Sequence, residues 1–407
     1  MITDGSQRER FLREHPELPT PFLVLDLDVV AQQYRRLKAV LPGSTVLYAV
    51  KANPAPQVLR VLAAHGSSFD VASPGEIALC QACGIAPSRL SYGNTIKKET
   101  DIRYAYESGV RIFTVDSEPE LDKVLRQAPG STVYVRIVTA GAGADWPLSR
   151  KFGCAPDEAI SLMRKAARAG CGVGMSFHVG SQQRDPRAWD APLAQVAQAY
   201  ADLAAEGHVC AGVNLGGGLP ATYQEPVPAL AGYGAAIRAA LDTHLGPEYA
   251  GHVYIEPGRY LVADAGTIVS EVVLISRRSG SQTRWVYLDI GLFSGLAETL
   301  EEAIRYRIDT PGRTGERTPA VLAGPTCDSA DVLYERSPCL LAGDLAIGDR
   351  IRLLSAGAYT ASYSSVGFNG FGPLDVHLVG DGHPARAVPH QLLSMDGPGV
   401  LLGAGSA

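Results

Sequence analysis

From residue 22 to about residue 258 the chain alternates short apolar runs with longer stretches whose apolar positions recur every three or four residues. The short runs are 45–50, 69–72, 90–93, 113–115, 133–137, 174–178, 212–215 and 253–256. They are rich in β-branched and aromatic residues, which suits strands buried on both faces. Helical periodicity fills 54–65, 155–169, 189–206 and 227–244. Eight strands separated by helices predict a (β/α)8 TIM-type barrel. The rival, a doubly wound open sheet, would stop at about five to seven strands. One helix start reads in detail: Ser73 as N-cap, Pro74 in the first helical position and Glu76 at the capping-box position. That gives Glu76 a structural reason without chemistry.

After Arg259 the rhythm changes. Runs 267–275, 284–288, 320–323, 350–354 and 374–379 read as strands separated by turns, with a helix expected only over 296–306. The expected organisation is a barrel over 24–262 and a β-rich domain over 263–394, joined by residues 1–23. A Gly-rich flexible tail over 395–407 completes it.

Composition narrows the partners. The 407 residues carry 36 basic and 42 acidic side chains, a net charge of −6, which gives no reason to expect nucleic acid or an anionic membrane. No apolar run approaches the roughly 18 residues of a membrane span. Residues 1–17 are polar and charged, unlike a signal peptide, so a cytoplasmic location is expected. Seven cysteines, an odd number scattered along the chain, do not suggest a disulfide framework. Cys80 and Cys83 form a lone C-x-x-C without further ligands, so no metal site is expected.

In such a barrel the chemistry sits at the carboxyl ends of the strands. Those ends carry Lys51, Asp70 with Ser73, Asn94, His178, the glycines 216–218, and Glu256-Pro257-Gly258-Arg259. Lys51 closes the apolar run 45–50. An amine among apolar neighbours can have a lowered pKa and attack a carbonyl to form a Schiff base. The last two sets follow strands seven and eight, where barrels often bind phosphate through glycine-rich turns. Arg259 adds a forked cation. Aldehyde plus phosphate describes pyridoxal 5'-phosphate (PLP). Each piece also has a plainer account: a solvated lysine, a tight turn at 216–218, an ion pair between Glu256 and Arg259, a packed barrel histidine. Their joint position on one face is what points to a ligand.

These residues resemble those of the PLP-dependent ornithine/diaminopimelate/arginine decarboxylases, whose fold resembles alanine racemase. The matching segments are 48–53, 69–76, 151–153, 178–181, 216–218, 256–260, 324–331, 357–360 and 368–371, in the family's order. Segments 324–331 and 368–371 look most like the ornithine/lysine branch, and 288–301 like its bacterial version. The resemblance implies that Lys51 holds PLP covalently, Glu256 pairs with the pyridine nitrogen and His178 stacks on the ring. Ser181, Gly217, Gly218, Gly258, Arg259 and Tyr359 would hold the phosphate, with Asp70 in support. Cys327 would be the acid that reprotonates Cα, supplied by the partner subunit of a homodimer with shared sites. Asp328 and Asp289 would receive the distal ammonium of the substrate. The implied activity is decarboxylation of a basic L-amino acid, L-ornithine and/or L-lysine, to putrescine or cadaverine. Three alternatives stand beside it. One is a same-family decarboxylase of a modified or carrier-bound amino acid. Another is a racemase, against which Cys327 argues. The third is a non-catalytic partner-binding homologue, against which the presence of Lys51, Glu256, Arg259 and Cys327 argues.

Overall fold

The computed structural model describes residues 6–148, 150–280 and 283–380, and the backbone of 383–388. The expected tail over 395–407 lies outside the described residues. Eight parallel strands close into a barrel in chain order: Thr45–Ala49, Ser68–Val71, Leu90–Tyr92, Ile112–Val115, Thr132–Arg136, Gly172–Ser176, Gly212–Asn214 and His252–Ile255. The last pairs with the first through Tyr254 opposite Thr45 and Ile255 opposite Val46. All eight fall on the apolar runs of the sequence. Val46, Leu47, Tyr48 and Ala49 are all buried, as strands walled by helices outside and packed side chains inside must be.

Of the remaining strands, Ala144–Trp146 pairs with Ser181–Gln183 on its own, and ten build a second, mostly antiparallel sheet. Its spine is Gly266–Arg277, which pairs with Arg284–Leu288 on one side and Arg350–Leu354 on the other. The chain begins in this domain: Phe22–Asp26 lies between Gly266–Arg277 and Asp375–Gly380, parallel to the latter. Asp26 then caps helix Leu27–Val40, accepting from the N–H groups of Asp28 and Val29, and that helix leads into the barrel.

The helix expected over 296–306 is not formed. Two 3-10 turns over Ala297–Glu302 replace it, broken where Leu300 turns extended and Glu301 and Glu302 adopt left-handed backbone. Tertiary demands override the helical pattern. Glu298 reaches inward to Arg259, while Glu302 accepts from the Arg336 N–H at 2.7 Å.

The domains meet at the barrel mouth. Asn53 Nδ2 donates to Gly357 O at 2.9 Å, the Tyr359 N–H donates to Ala52 O at 2.8 Å, and Ser362 Oγ donates to Lys51 O at 3.0 Å. Gly357 must be glycine, since a Cβ there would lie 2.0 Å from Val262 O. Among the described residues no helix is long and apolar enough to cross a membrane.

Candidate active site

The carboxyl ends of the first, sixth, seventh and eighth strands, with Tyr359 from the second domain, enclose one cavity. It is lined by Ala49, Lys51, His178, Ser181, Gly217, Gly218, Leu219, Glu256, Gly258, Arg259 and Tyr359. All but Leu219 are polar, glycine, alanine or tyrosine residues, so little apolar side chain intrudes on the space.

Lys51 sits on a 3-10 turn that directly follows the first strand. Its side chain is 53% exposed, and its Nζ lies 3.1 Å from Oδ2 of the buried Asp70. The lowered pKa expected of it is not found. Burial presses the amine down, but the charges of Asp70, Tyr359, Glu256 and Glu76 outweigh burial and hold it above the usual lysine range. The other Asp70 oxygen, Oδ1, is buried without a hydrogen-bond partner. Gly93 makes room for it, since a Cβ there would lie 2.0 Å away.

Glu256 enters from the eighth strand. Asn214, at the end of the seventh, donates from Nδ2 to Glu256 Oε1 at 2.6 Å and accepts the Gly216 N–H on Oδ1 at 3.0 Å. Burial and the neighbouring Asp70 push the Glu256 carboxyl up to about 7, against Lys51, the Asn214 hydrogen bond and Arg136. His178 accepts the Gly180 N–H on Nδ1 at 3.0 Å, which leaves Nε2 to carry the proton. Burial, then Arg136 and Lys51, hold its pKa well below the ordinary value, so the ring is neutral. Gly217 lies against both groups: a Cβ there would be 2.7 Å from Glu256 O and 2.8 Å from His178 Nε2.

The plainer account of Glu256 and Arg259, an ion pair between them, does not hold. Arg259 pairs instead with Glu298, Nη1 to Oε2 and Nη2 to Oε1, both at 2.6 Å. It also donates to Tyr223 Oη at 2.9 Å and Ser181 Oγ at 3.1 Å, and its guanidinium lies 4.9 Å from the centre of the Tyr359 ring. Its Nε is buried without a partner.

Cys327, Asp328 and Asp289 are not among the residues lining this cavity. Cys327 is exposed, with Sγ 3.3 Å from Asn369 Oδ1. Asp328 is exposed and accepts the Ala330 N–H at 2.9 Å, as a turn residue does. Asp289 accepts from Ser270 Oγ at 2.6 Å and the Glu271 N–H at 3.0 Å within the second sheet. Their loop is braced by the buried Asp331, which accepts from the Leu292 N–H at 2.7 Å and Thr326 Oγ1 at 2.7 Å.

Four participants were not singled out from the sequence for the site. Asn214 and Arg136 stand at strand ends, where position alone could have flagged them. Glu76 does more than cap its helix. Its N–H donates to Ser73 Oγ at 3.3 Å as anticipated, but its carboxylate accepts the Ala72 N–H at 2.7 Å, and burial pushes it up to about 7 beside Lys51 and Asp70. Glu298 comes from the other domain and carries no local signal.

PLP fits this set. The orphaned Nε of Arg259 and the glycine cradle at 217, 218 and 258 suit a phosphate, and Cβ atoms at Gly217 or Gly218 would collide with backbone. A carboxylate, a neutral imidazole and a lysine amine share the same cavity. Comparison with known proteins agrees. Residues 27–263 match the family model described as pyridoxal-dependent decarboxylase, pyridoxal binding domain. A lysine/ornithine decarboxylase of Selenomonas ruminantium is 35% identical over 356 residues, covering 87% of this chain and 88% of that one. The structure of a lysine/ornithine decarboxylase of Vibrio vulnificus complexed with cadaverine superposes with a TM-score of 0.82 at 34% identity, covering 92% of this chain and all of that one. An SrLDC mutant in complex with PLP gives a TM-score of 0.83 at 32% identity, over 92% and 95% of the two chains. A barrel mouth built for PLP, on a chain matched over most of its length, makes this protein a member of the pyridoxal-dependent decarboxylase family and a PLP-dependent amino-acid decarboxylase.

Proposed function

We infer that this chain decarboxylates a basic L-amino acid, L-ornithine and/or L-lysine, to putrescine and/or cadaverine. The working unit is a homodimer in which each subunit completes its partner's site. The observation that carries this reading is the Cys327–Asp328 pair. A thiol and a carboxylate stand adjacent, exposed, on a loop fixed by Asp331 and outside the lining of their own chain's cavity. Presented to a second subunit, they supply a proton donor and a counter-charge. The substrates and products named for the relatives point the same way.

The residues divide the work. Lys51 anchors the cofactor, and Asp70 holds its amine protonated until then. Arg259, Ser181, Tyr359 and the glycine turns hold the phosphate. PLP, when bound, supplies an electron sink for the pair released as CO2 leaves. Glu256, oriented by Asn214, keeps a proton on the ring nitrogen, which that sink requires. Neutral His178 covers one ring face without adding positive charge. The Cys327 thiol of the second subunit returns a proton to Cα. Asp328, with Asp289 in the longer-range field, favours a cationic side chain over a neutral one.

The test is CO2 release by PLP-loaded protein offered ornithine, lysine, arginine and diaminopimelate separately. Release from ornithine or lysine is expected, and the two rates rank the substrates. Release from neither, beside a normal cofactor absorbance band, would refute the substrate while leaving the cofactor site standing.

A further inference from the structure

Arg259 is the cation of the phosphate end, yet it meets the cavity with its charge already matched. Glu298, from the 3-10 turns Ala297–Glu302 of the second domain, grips both terminal nitrogens at 2.6 Å. The arginine is 3% exposed and the glutamate 7%. A guanidinium has five N–H donors in a rigid plane. Here the two that point off its end go to Glu298. The outer Nη1 hydrogen goes to Tyr223 Oη and the outer Nη2 hydrogen to Ser181 Oγ. The fifth, on Nε, has no partner. Nη2 lies on the same side of the plane as the Nε–H, so these two make the side fork of the guanidinium. Glu298 therefore decides which edge of Arg259 is offered: the end fork is blocked, and the side fork faces Ser181.

Ser181 is itself fixed. Its neighbour Gln182 is buried in left-handed backbone, and its side-chain amide pairs with both the N–H and the C=O of Ala221, at 2.9 and 2.7 Å. Glu298 is equally tied. Its carbonyl accepts the Ile304 N–H at 3.0 Å, and its turn packs beside the fully buried Leu296. Nothing in this arrangement is a loose surface pair. It is a buried, bidentate, two-domain clamp on one arginine.

We propose that Glu298 is the positioning residue of the phosphate site: it holds Arg259 by its end fork so that the unpartnered Nε–H edge, with Ser181 held on the adjacent Nη2, is the edge left for the cofactor phosphate. Two consequences separate this from mere charge balance. A carboxylate that only competed for Arg259 would weaken phosphate binding, and removing its charge would tighten it. A carboxylate that positions Arg259 must instead strengthen binding, and its loss frees the guanidinium to turn its end fork into the cavity. Because Glu298 belongs to the second domain, cofactor retention also depends on how that domain's turn is seated. The proposal rests on PLP as cofactor and is independent of which amino acid is decarboxylated.

The experiment measures the affinity of cofactor-free enzyme for PLP and for pyridoxal, which lacks the phosphate, in wild type, Glu298→Gln and Glu298→Ala. Losing a bidentate charged pair should weaken PLP binding roughly tenfold or more. Glu298→Gln, which keeps one acceptor, should fall between Glu298→Ala and wild type. Pyridoxal affinity should stay within about twofold, because its ring and aldehyde contacts do not involve Arg259. Unchanged or tighter PLP binding in Glu298→Gln would overturn the proposal, as would an equal loss for PLP and pyridoxal, the mark of general disruption. If Glu298→Ala does not fold, Glu298→Gln decides alone, with its circular dichroism matched to wild type.

Discussion

At the scale of single residues, the site works by setting ionisation states before any ligand arrives. Asp70 keeps the Lys51 amine charged, and His178 is kept neutral with its proton on Nε2. Glu256 is the finely balanced one. Burial and Asp70 raise it to about 7, and the hydrogen bond from Asn214 opposes that rise. The orientation of the Asn214 amide follows from the Gly216 N–H, which only its oxygen can accept. Removing this donor therefore has a predictable sign. In Asn214→Ala the Glu256 pKa moves further up, because only the ionised carboxylate gained from the bond. In the proposed role of Glu256, PLP binds with that carboxylate ionised opposite a protonated ring nitrogen. The pH profile of PLP association with cofactor-free enzyme should thus keep its shape in Asn214→Ala while its acidic limb shifts to higher pH. A limb that stays in place would mean Asn214 serves only the turn at Gly216.

At the scale of elements, the turn after the seventh strand and the buried lysine after the third carry separate loads. Gly216 and Gly218 have positive φ, 66° and 115°, but Gly217 does not, so its constraint is space rather than backbone angle. Gly217→Ala pushes a methyl at Glu256 O and the His178 ring. We expect PLP affinity to drop about tenfold or more, with thermal stability of the cofactor-free protein little changed. Lys97 is structural. It is wholly buried, donates to Asn94 O and Thr114 O, each at 2.7 Å, and lies 3.1 Å from Glu120. Burial pushes it down to about 8 from an ordinary 10.5, against Glu120. Lys97→Met leaves two carbonyls and part of a carboxylate unmatched and should cost about 3 kcal/mol in denaturant unfolding. The pH dependence has a definite sign. Between about 8 and 10.5 the unfolded chain binds more protons at this lysine than the folded one, so wild-type stability gains from it as pH rises. The gap between wild type and Lys97→Met should widen over that window. Elements like these also show what was legible beforehand. The barrel strands declared themselves because burial on both faces makes each one an apolar run, and strand order then fixed which end carries Lys51, His178, Glu256 and Arg259. Strand Phe22–Asp26 did not, since its partner Asp375–Gly380 lies at the other end of the chain. The expected helix over 296–306 failed for the same kind of reason: Glu298 answers to Arg259, a residue in another domain, and no local pattern records that.

At the scale of the whole molecule, one chain holds the cavity at the barrel mouth and a Cys327–Asp328 loop that does not line it. Cys327 stands at the surface with Asn369 against its thiol, and Phe368 beside Asn369 packs on Phe293 with ring centres 4.9 Å apart. Tyr363, Val366, Phe368 and Phe371, all on the same 363–371 segment, are exposed large hydrophobics. A contiguous apolar segment of this kind marks an interaction surface. In the proposed homodimer it is covered by a second copy, and the two-fold relation carries each Cys327 toward the other subunit's Lys51. The prediction concerns mixtures. Lys51→Ala removes the anchor and Cys327→Ala the acid, so each homodimer should be nearly inactive. When the two are unfolded together and refolded, or allowed to exchange, half of the dimers become mixed. Each mixed dimer then pairs one doubly damaged site with one that has both Lys51 and Cys327 intact. Activity should recover to roughly a quarter of wild type. If Lys51 and Cys327 of the same chain worked together, no mixture could contain an intact site, and activity would stay at the level of the separate variants. The measurement therefore reads the geometry of the assembly from turnover alone: recovery places the thiol across the interface, and its absence in dimers shown to exchange places it within the chain, which the exposed position of Cys327 outside the cavity lining argues against.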